Sequence, residues 1–477
     1  MPCLLTEWSV SRLNIGTNYF INSLAQRSHL VPVSVVRLCG PATRALGPFD
    51  DFPEDLRKLI SSKCFYVNGG YQVDGSVITD LDEKEIMDVI KEIKESNIRN
   101  VVISGVFSFM KTDQEKQNPG NITESTVPFV DESTGEWILS EYDVHCISIG
   151  TGILGSGGGG APKIGLLRAL TTLKKGRKIR VIHPERLKTK SFKNGKVGVP
   201  AFVGAPTVGN EKFASGREMV EALECIEKIL KTDLLDENNK KQLDVKEDGN
   251  ITYITHFDLT PLEGTQTNTR DIVALMCLEI GGSNATETLC AGADMGLPVL
   301  DCDGMGRAFP ELQSSFQLGD AVLKAQKESS DPVESICEQG GGVHLITGKI
   351  TNVSQETNGG FDRGITEIEG TGKYGDQEMI VEFQNENLIA KRRHTAEEKV
   401  VVTTPDIITV VGVDTGMAIT NDIIKSGMHV AVIALLSAPQ LRTKVALEVV
   451  GPKAFGYDTD YTPIGEYHSN CTIPLPP

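Results

Sequence analysis

Residues Ile147 to Leu167 read ISIGTGILGSGGGGAPKIGLL, and five of the six positions from Gly155 to Gly160 are glycine. Such a run costs backbone entropy unless the fold or a ligand uses it. Without Cβ atoms, successive backbone N–H groups can converge on one bound group. Pro162 suits the first turn of a helix, where a missing N–H is no loss. The amphipathic stretch Ile164–Lys174 then predicts a helix whose positive dipole end faces the glycines. The string reads as a cradle for an anion or a carbonyl oxygen, with Gly157, Gly158, Gly159 and Gly160 as candidate substrate-binding donors. The plainer alternative is a tight, close-packed turn without a ligand.

Two nucleotide motifs do not fit. Gly150, Gly152 and Gly155 satisfy GxGxxG, but more glycines and Pro162 follow the third, where a dinucleotide fingerprint is already helical. No acidic residue about twenty positions on closes a second strand. No GK[ST] follows, so the string is not a P-loop.

Working outward, Val144–Ile149 reads as a strand entering the loop. Further strand signals lie at Lys178–Ile182, Ile251–Phe257 and Pro298–Leu300, with a helix at Arg217–Leu230. This alternation predicts a layered α/β domain over 142–308, with the charged Leu234–Asn250 as an exposed excursion. Upstream, in 1–118, an apolar Pro32–Leu38, a helix-like Asp82–Ser96 and a strand-like Asn100–Phe107 predict another α/β region. The polar stretch Lys111–Glu141 reads as a linker or long surface loop, the linker proper being 119–141. In 309–477 a helix-like Asp320–Ala325 leads into apolar alternation of period two. It recurs at Val343–Val353, Ile365–Glu369, Glu378–Phe383, Lys399–Thr403, Ile407–Val413, His429–Leu435 and Val445–Val450, which predicts a β-rich C-terminal domain.

The second chemically dense string is EIGGSNATETLCAGADMGLPVLDCDGMGRAFPELQ, Glu279 to Gln313. A strand ending in Asp301, Cys302 and Asp303 puts Asp301 and Asp303 on one face, at the strand end where α/β domains place ligands. Such a pair suits a hard divalent cation or a division into acid and base. Asp301, Asp303 and Glu311 are therefore the candidate catalytic acids, and Asp301 and Asp303 the candidate metal ligands. Arg307 can orient a substrate carboxylate, and Asn284, after Gly281 and Gly282, is a candidate substrate contact. The alternative is an Asp-Gly turn with a structural Arg–Asp pair. GAPTVGNEK from Gly204 and FQNENL from Phe383 read most simply as polar turns. Of the histidines, His256 and His344 follow apolar runs and are the better functional candidates.

Bulk properties narrow the class. The chain has 477 residues, 39% hydrophobic and 23% charged, with a net charge of −17. That charge speaks against a nucleic-acid or anionic-membrane partner. The ten cysteines form no CxxC spacing, which speaks against a structural zinc and for reduced cytoplasmic thiols. The N-terminus lacks a secretory pattern, and the apolar runs Val101–Met110 and Val430–Leu436 are too short to span a bilayer. The expected partner is a small molecule, and a homo-oligomer is compatible with the sequence.

Taken together, IGTGILGSGGGGAP, VGAPTVGNEK, EIGGSN, GLPVLDCDGMGRAFPEL, FQNENLIA, PDIITV and VGPKAFGYDTDY resemble the S-methyl-thiohydantoin desulfurase-like family, in order from Ile147 to Tyr461. The resemblance implies an α/β domain followed by a mostly β domain. Where that family's loop often ends in Asp-Pro, this chain has Ala161-Pro162. The stretches NIGTNYFINSL, RLCGPATRALGPFDDFPEDLRKLI, VNGGYQVDGS and NVVISGVFS are similar to the N-terminal part of the hydantoinase/oxoprolinase family. That resemblance implies an actin-like α/β core and the opening of cyclic amides. It also implies an incomplete ATP site here, because the acidic Gly-Gly-Thr turn expected upstream of Gly16 is not in the sequence.

Both resemblances imply five-membered cyclic amides, ureas or thioureas. The expected function is a hydrolase of such a ring, of hydantoin, thiohydantoin or 5-oxoproline type. Gly157–Gly160 would stabilise the developing charge, and Asp301 or Asp303 would act as base or cation ligand. The alternative is a non-catalytic binding or assembly subunit of a hydantoinase/oxoprolinase-like system.

Overall fold

The computed structural model describes residues 32–106, 128–202, 216–231, 272–305 and 311–475, with short breaks at 46, 51, 73–75, 97–99, 190–191, 193–194, 359–360, 395–396, 469–472 and 474. Ile251–Phe257, Leu234–Asn250, GAPTVGNEK, His256 and Arg307 lie outside the described residues. The chain divides into two compact units, Met1–Gly120 with Thr207–Gly216, and Asn121–Pro206 with Arg217–Pro477.

The first unit is a small α/β layer. Strands β1 (Val33–Leu38), β2 (Ser61–Val67) and β3 (Val101–Gly105) form a parallel sheet in the order β2-β1-β3. Helices α1 (Glu54–Ile60) and α2 (Glu83–Glu95) connect them. The Asp82 carboxylate accepts the N–H groups of Lys84 at 2.9 Å and Glu85 at 3.3 Å. That cap starts α2 where the sequence predicts it.

The second unit begins with β4 (Val130–Asp131) and β5 (Glu136–Ile138), a hairpin inside the expected linker 119–141. Asp131 closes its turn by accepting the Ser133 N–H at 2.8 Å, and Trp137 is fully buried. Polar composition here marks a hairpin turn rather than a linker. Then come α3 (Glu141–Leu154), α4 (Pro162–Lys174), β6 (Arg180–Ile182), β7 (Lys196–Gly198), α5 (Glu218–Lys231), β8 (Ile272–Cys277), α6 (Ser283–Met295) and β9 (Val299–Asp303). The strands form one mixed sheet, β4-β5-β6-β9-β8-β7, parallel from β6 to β7.

Residues Val144–Ile149 are not the expected strand. They lie in α3, and from Tyr142 to Leu154 every residue but His145 is buried. A helix enclosed on all sides is apolar all round, so its 3.6-residue period is invisible. Its start is set by a capping box: Ser140 Oγ accepts from Asp143 N at 3.1 Å, and the Asp143 carboxylate accepts from Ser140 N at 2.8 Å.

Two further helices, α7 (Leu312–Glu328) and α8 (Pro332–Gly340), lead into an antiparallel sheet. Its strands are β10 (Val343–Asn358), β11 (Phe361–Gly370), β12 (Glu378–Gln384), β13 (Glu386–His394), β14 (Glu397–Thr403), β15 (Ile407–Gly412) and β16 (His429–Leu435), in the order β14-β13-β12-β11-β10-β16-β15. Val445–Val450 is helix α9 (Lys444–Val450), not the expected strand. Thr443 Oγ1 accepts the Ala446 N–H at 3.3 Å and caps it, and the exposed Val445 and Val449 have no facing strand to pair with. One core spans the unit, from Trp137 and Ile147 through Leu289 and Phe316 to Val411 and Ile433. No described helix is long and apolar enough to cross a membrane.

The centre of this core is a close crossing of α3 and α7. A Cβ on Gly150 would overlap the Ser315 carbonyl, and a Cβ on Gly319 would overlap the Cys146 carbonyl. Both obstacles are backbone and cannot rotate away. Gly150→Ala is expected to lower the unfolding free energy by about 3 kcal/mol or more. Gly176→Ala, at φ 76° with open space around it, should cost only about 1–2 kcal/mol of backbone strain. Urea unfolding of both variants checks this, and equal effects would contradict the close crossing.

Candidate functional site

The glycine string has three structural parts. Gly150 and Gly152 belong to α3, Gly155 ends that helix, and the loop proper runs to Ala161 at the start of α4. Ser156, Gly157, Gly159 and Gly160 have φ of 51°, 83°, 74° and 79°, a left-handed path that only glycine follows freely. The loop also leaves no room for side chains. A Cβ on Gly159 would sit 2.6 Å from the Gly281 carbonyl, and one on Gly157 2.6 Å from Asn421 Nδ2.

The loop spends its carbonyls on the fold. Ser156 O accepts from Asn387 N at 2.7 Å, Gly157 O from Asn421 N at 2.9 Å, and Gly159 O from Ser283 N at 2.8 Å. Gly158 N donates to Gly155 O at 2.8 Å. Among the described residues, the N–H groups of Gly157, Gly159 and Gly160 have no acceptor. Gly159 and Gly160 are half-buried. The loop therefore presents unclaimed donors.

The opposite wall is built by the antiparallel sheet. At the β12–β13 turn Asn385 has φ 58°, and Glu386 and Asn387 follow. A Cβ on Gly158 would lie 2.5 Å from Glu386 Cγ, so this carboxylate side chain lies against the loop. Asn387 Nδ2 donates to Ile408 O at 2.8 Å, and its Oδ1 accepts from Asn421 Nδ2 at 3.1 Å. Asn421 Nδ2 also donates to Asn385 O at 3.0 Å. Two acceptors around that nitrogen fix the amide orientation and leave Asn421 Oδ1 buried without a partner, on a residue 1% exposed. Ser156 joins the walls, accepting from Ile408 N at 3.1 Å and donating to Ile408 O at 2.9 Å.

The turn before α6 links the loop to the end of β9. Ser283 holds Gly159, while Ile280 N donates to Asp303 Oδ2 at 3.4 Å. Asn284, a predicted substrate contact, has its amide committed to Phe202, accepting from its N–H at 2.9 Å and donating to its carbonyl at 3.1 Å. Asp301 and Asp303 take different partners. Asp301 accepts from Gln313 Nε2 at 2.8 Å and from Gln313 N at 3.3 Å. The register with β8 shifts between Leu275 and Cys277, where Val299 and Asp303 are the facing residues. Glu311 sits at the start of α7 beside Asp301. Among the described residues no group of three His, Cys, Asp or Glu side chains is arranged to hold a metal ion.

A model of the S-Me-THD-like N-terminal domain matches residues 142–238 and 259–325, and one of the S-Me-THD-like C-terminal domain matches 311–464. The chain belongs to the S-Me-THD-like family. Residues 5–126 match the hydantoinase/oxoprolinase N-terminal region, so this S-Me-THD-like chain carries both parts in the order read from its motifs. A solved structure of a protein from Chromobacterium violaceum is similar at 17% identity and a TM-score of 0.46, covering 69% of this chain and 99% of that one. No curated protein matches the chain.

In the sequence FQNENL reads as a turn, and Asn421 stands in no motif. The signal available was two asparagines flanking a glutamate directly after an apolar strand, but only tertiary structure brings Asn421 onto them. In this S-Me-THD-like chain burial pushes the Asp301 carboxyl up to about 6, and the Gln313 hydrogen bonds oppose the shift. A carboxyl raised above its unfolded value, about 3.9, stabilises the fold below pH 4 and loses that contribution as pH rises through about 6. The unfolding free energies of the native chain and of Asp301→Asn, measured between pH 4 and 7, should therefore diverge. The native chain should lose on the order of 2–3 kcal/mol relative to the variant. A difference that stays constant with pH would contradict this assignment.

Proposed function

We propose that the protein hydrolyses a five-membered cyclic amide, urea or thiourea, of hydantoin, thiohydantoin or 5-oxoproline type. One observation carries the reading: a loop with unclaimed N–H groups at Gly157, Gly159 and Gly160 packs, through Gly157, against Asn421, whose Oδ1 is an unclaimed acceptor. A cyclic amide edge is the complement of that set, since its C=O needs donors and its N–H needs an acceptor. Both family matches concern hydantoin-related proteins, which favours the same ring class.

In this reading the ring carbonyl oxygen lies on Gly159 and Gly160, whose N–H groups stabilise the charge that develops as water adds to the carbon. The water oxygen bonds the ring carbon, a carboxylate takes its proton, the C–N bond breaks, and the leaving nitrogen is protonated. We assign these proton transfers to Glu386, whose side chain lies against Gly158, and to Asp303, which accepts from Ile280 N just before the turn that holds Gly159. Asp301, 4% exposed and held by Gln313, supports α7 instead. The described cysteines are free thiols, which suits a reducing compartment, and we place the protein in the cytoplasm.

Ring absorbance of hydantoin, thiohydantoin and 5-oxoproline panels, followed with and without divalent cations, tests the proposal. The native chain should turn over at least one ring, and Asp303→Asn and Glu386→Gln should each lower kcat by roughly a hundredfold or more. No turnover of any ring, or full activity in both variants, would overturn it. The uncapped α4 start at Ala161 favours a second reading, a binding subunit. That reading would show thermal stabilisation by a ring without turnover.

A further inference from the structure

On the C-terminal sheet a hydroxyl, an imidazole and a carboxylate stand in line. His344 Nε2 lies 2.8 Å from Thr347 Oγ1, and His344 Nδ1 lies 3.1 Å from Glu334 Oε1. His344 and Thr347 are on β10, and Glu334 is on α8. Three positions apart, two residues of a regular strand face opposite sides. Here the register against β16 shifts between His344 and Ile346. The adjacent Leu345 and Ile346 are both buried, at 2% and 0% exposure. The bulge turns His344 and Thr347 to the same side.

The hydrogen bonds also set the proton positions. An ionised carboxylate only accepts, so Nδ1 carries the ring proton of the neutral imidazole. Nε2 then faces the Thr347 hydroxyl as an acceptor, the tautomer a general base needs. The Tyr374 ring lies beside the imidazole, 5.4 Å between centroids and tilted by 51°. Among the described residues, His344 is the only partner of the Thr347 hydroxyl. The group opens to solvent, with the Glu334 side chain 47% exposed and that of His344 10%. It shares no residue with the glycine-loop site.

We propose that Thr347, His344 and Glu334 form a second catalytic site, an acyl-transfer site for small esters with Thr347 as nucleophile. A nucleophile on a base that is itself oriented by a third group is the arrangement such chemistry needs. Thr347 Oγ attacks the acyl carbon and its proton passes to His344 Nε2. The C–O bond to the alcohol breaks, and the alcohol leaves with that proton. Water then attacks acyl-Thr347, gives a proton to Nε2, and the carboxylic acid departs as Thr347 Oγ recovers its proton. No oxidant or second substrate is required. An open site stabilises the tetrahedral intermediate weakly, which selects esters over amides.

The test uses the full chain with 4-nitrophenyl acetate, and separately with a fluorophosphonate followed by intact mass and peptide mapping. Nitrophenolate release by the native protein should fall about a hundredfold or more in Thr347→Val and His344→Gln. Glu334→Gln should be slowed, Thr347→Ser should stay active, and the phosphonyl adduct should map to Thr347. Circular dichroism confirms that the variants fold, and Thr347→Ser keeps the test open should Thr347→Val not fold. Equal release by the native chain and Thr347→Val, an adduct on another residue, or no adduct would each overturn the site. None of these outcomes bears on ring hydrolysis at the glycine loop.

Discussion

The second unit depends on how closely α3 and α7 can approach. Gly150 and Gly319 meet the facing backbone directly, and this contact fixes the position of the α3 C-terminus. Everything after Gly155 inherits that position. The loop turns back through left-handed residues, Ser283 and Asn421 take its carbonyls, and α4 starts at Pro162. Dispersion and close packing at the crossing thus determine where the loop's N–H groups point.

The same packing explains why glycine is needed at so many successive positions. Some positions serve helix contact, some serve the left-handed path, and Gly158 leaves space for Glu386. A close-packed turn and a ligand cradle were alternatives in the sequence. In the structure the carbonyls meet the first requirement, and the unclaimed N–H groups remain for the second. Buried or half-buried donors without acceptors are costly unless water or a ligand meets them.

Much of the fold was legible. The α/β character of the first unit, its helix after Asp82, and β16 at His429–Leu435 follow from period and caps. The two errors of type have a common cause. Val144–Ile149 is buried on nearly every side, so no polar face marks the helical period, and Val445–Val450 is short enough for a single Thr443 cap to decide it. The site was legible only in part. The glycines and Asp303 carry local signals, but Asp301 is held by Gln313, and Asn284 is taken by Phe202. Asn387 and Asn421 meet only because β13 and the residues after β15 are brought together by the sheet, a long-range pairing that no local period encodes.

A crystal structure of Asp303→Asn soaked with hydantoin shows whether the loop N–H groups and Asn421 Oδ1 read the amide edge of a five-membered ring. The ring carbonyl oxygen is expected about 2.7–3.1 Å from the nitrogens of Gly159 and Gly160, with a ring N–H on Asn421 Oδ1. A ring bound elsewhere in the unit, with those N–H groups occupied by water or by the protein itself, would contradict it.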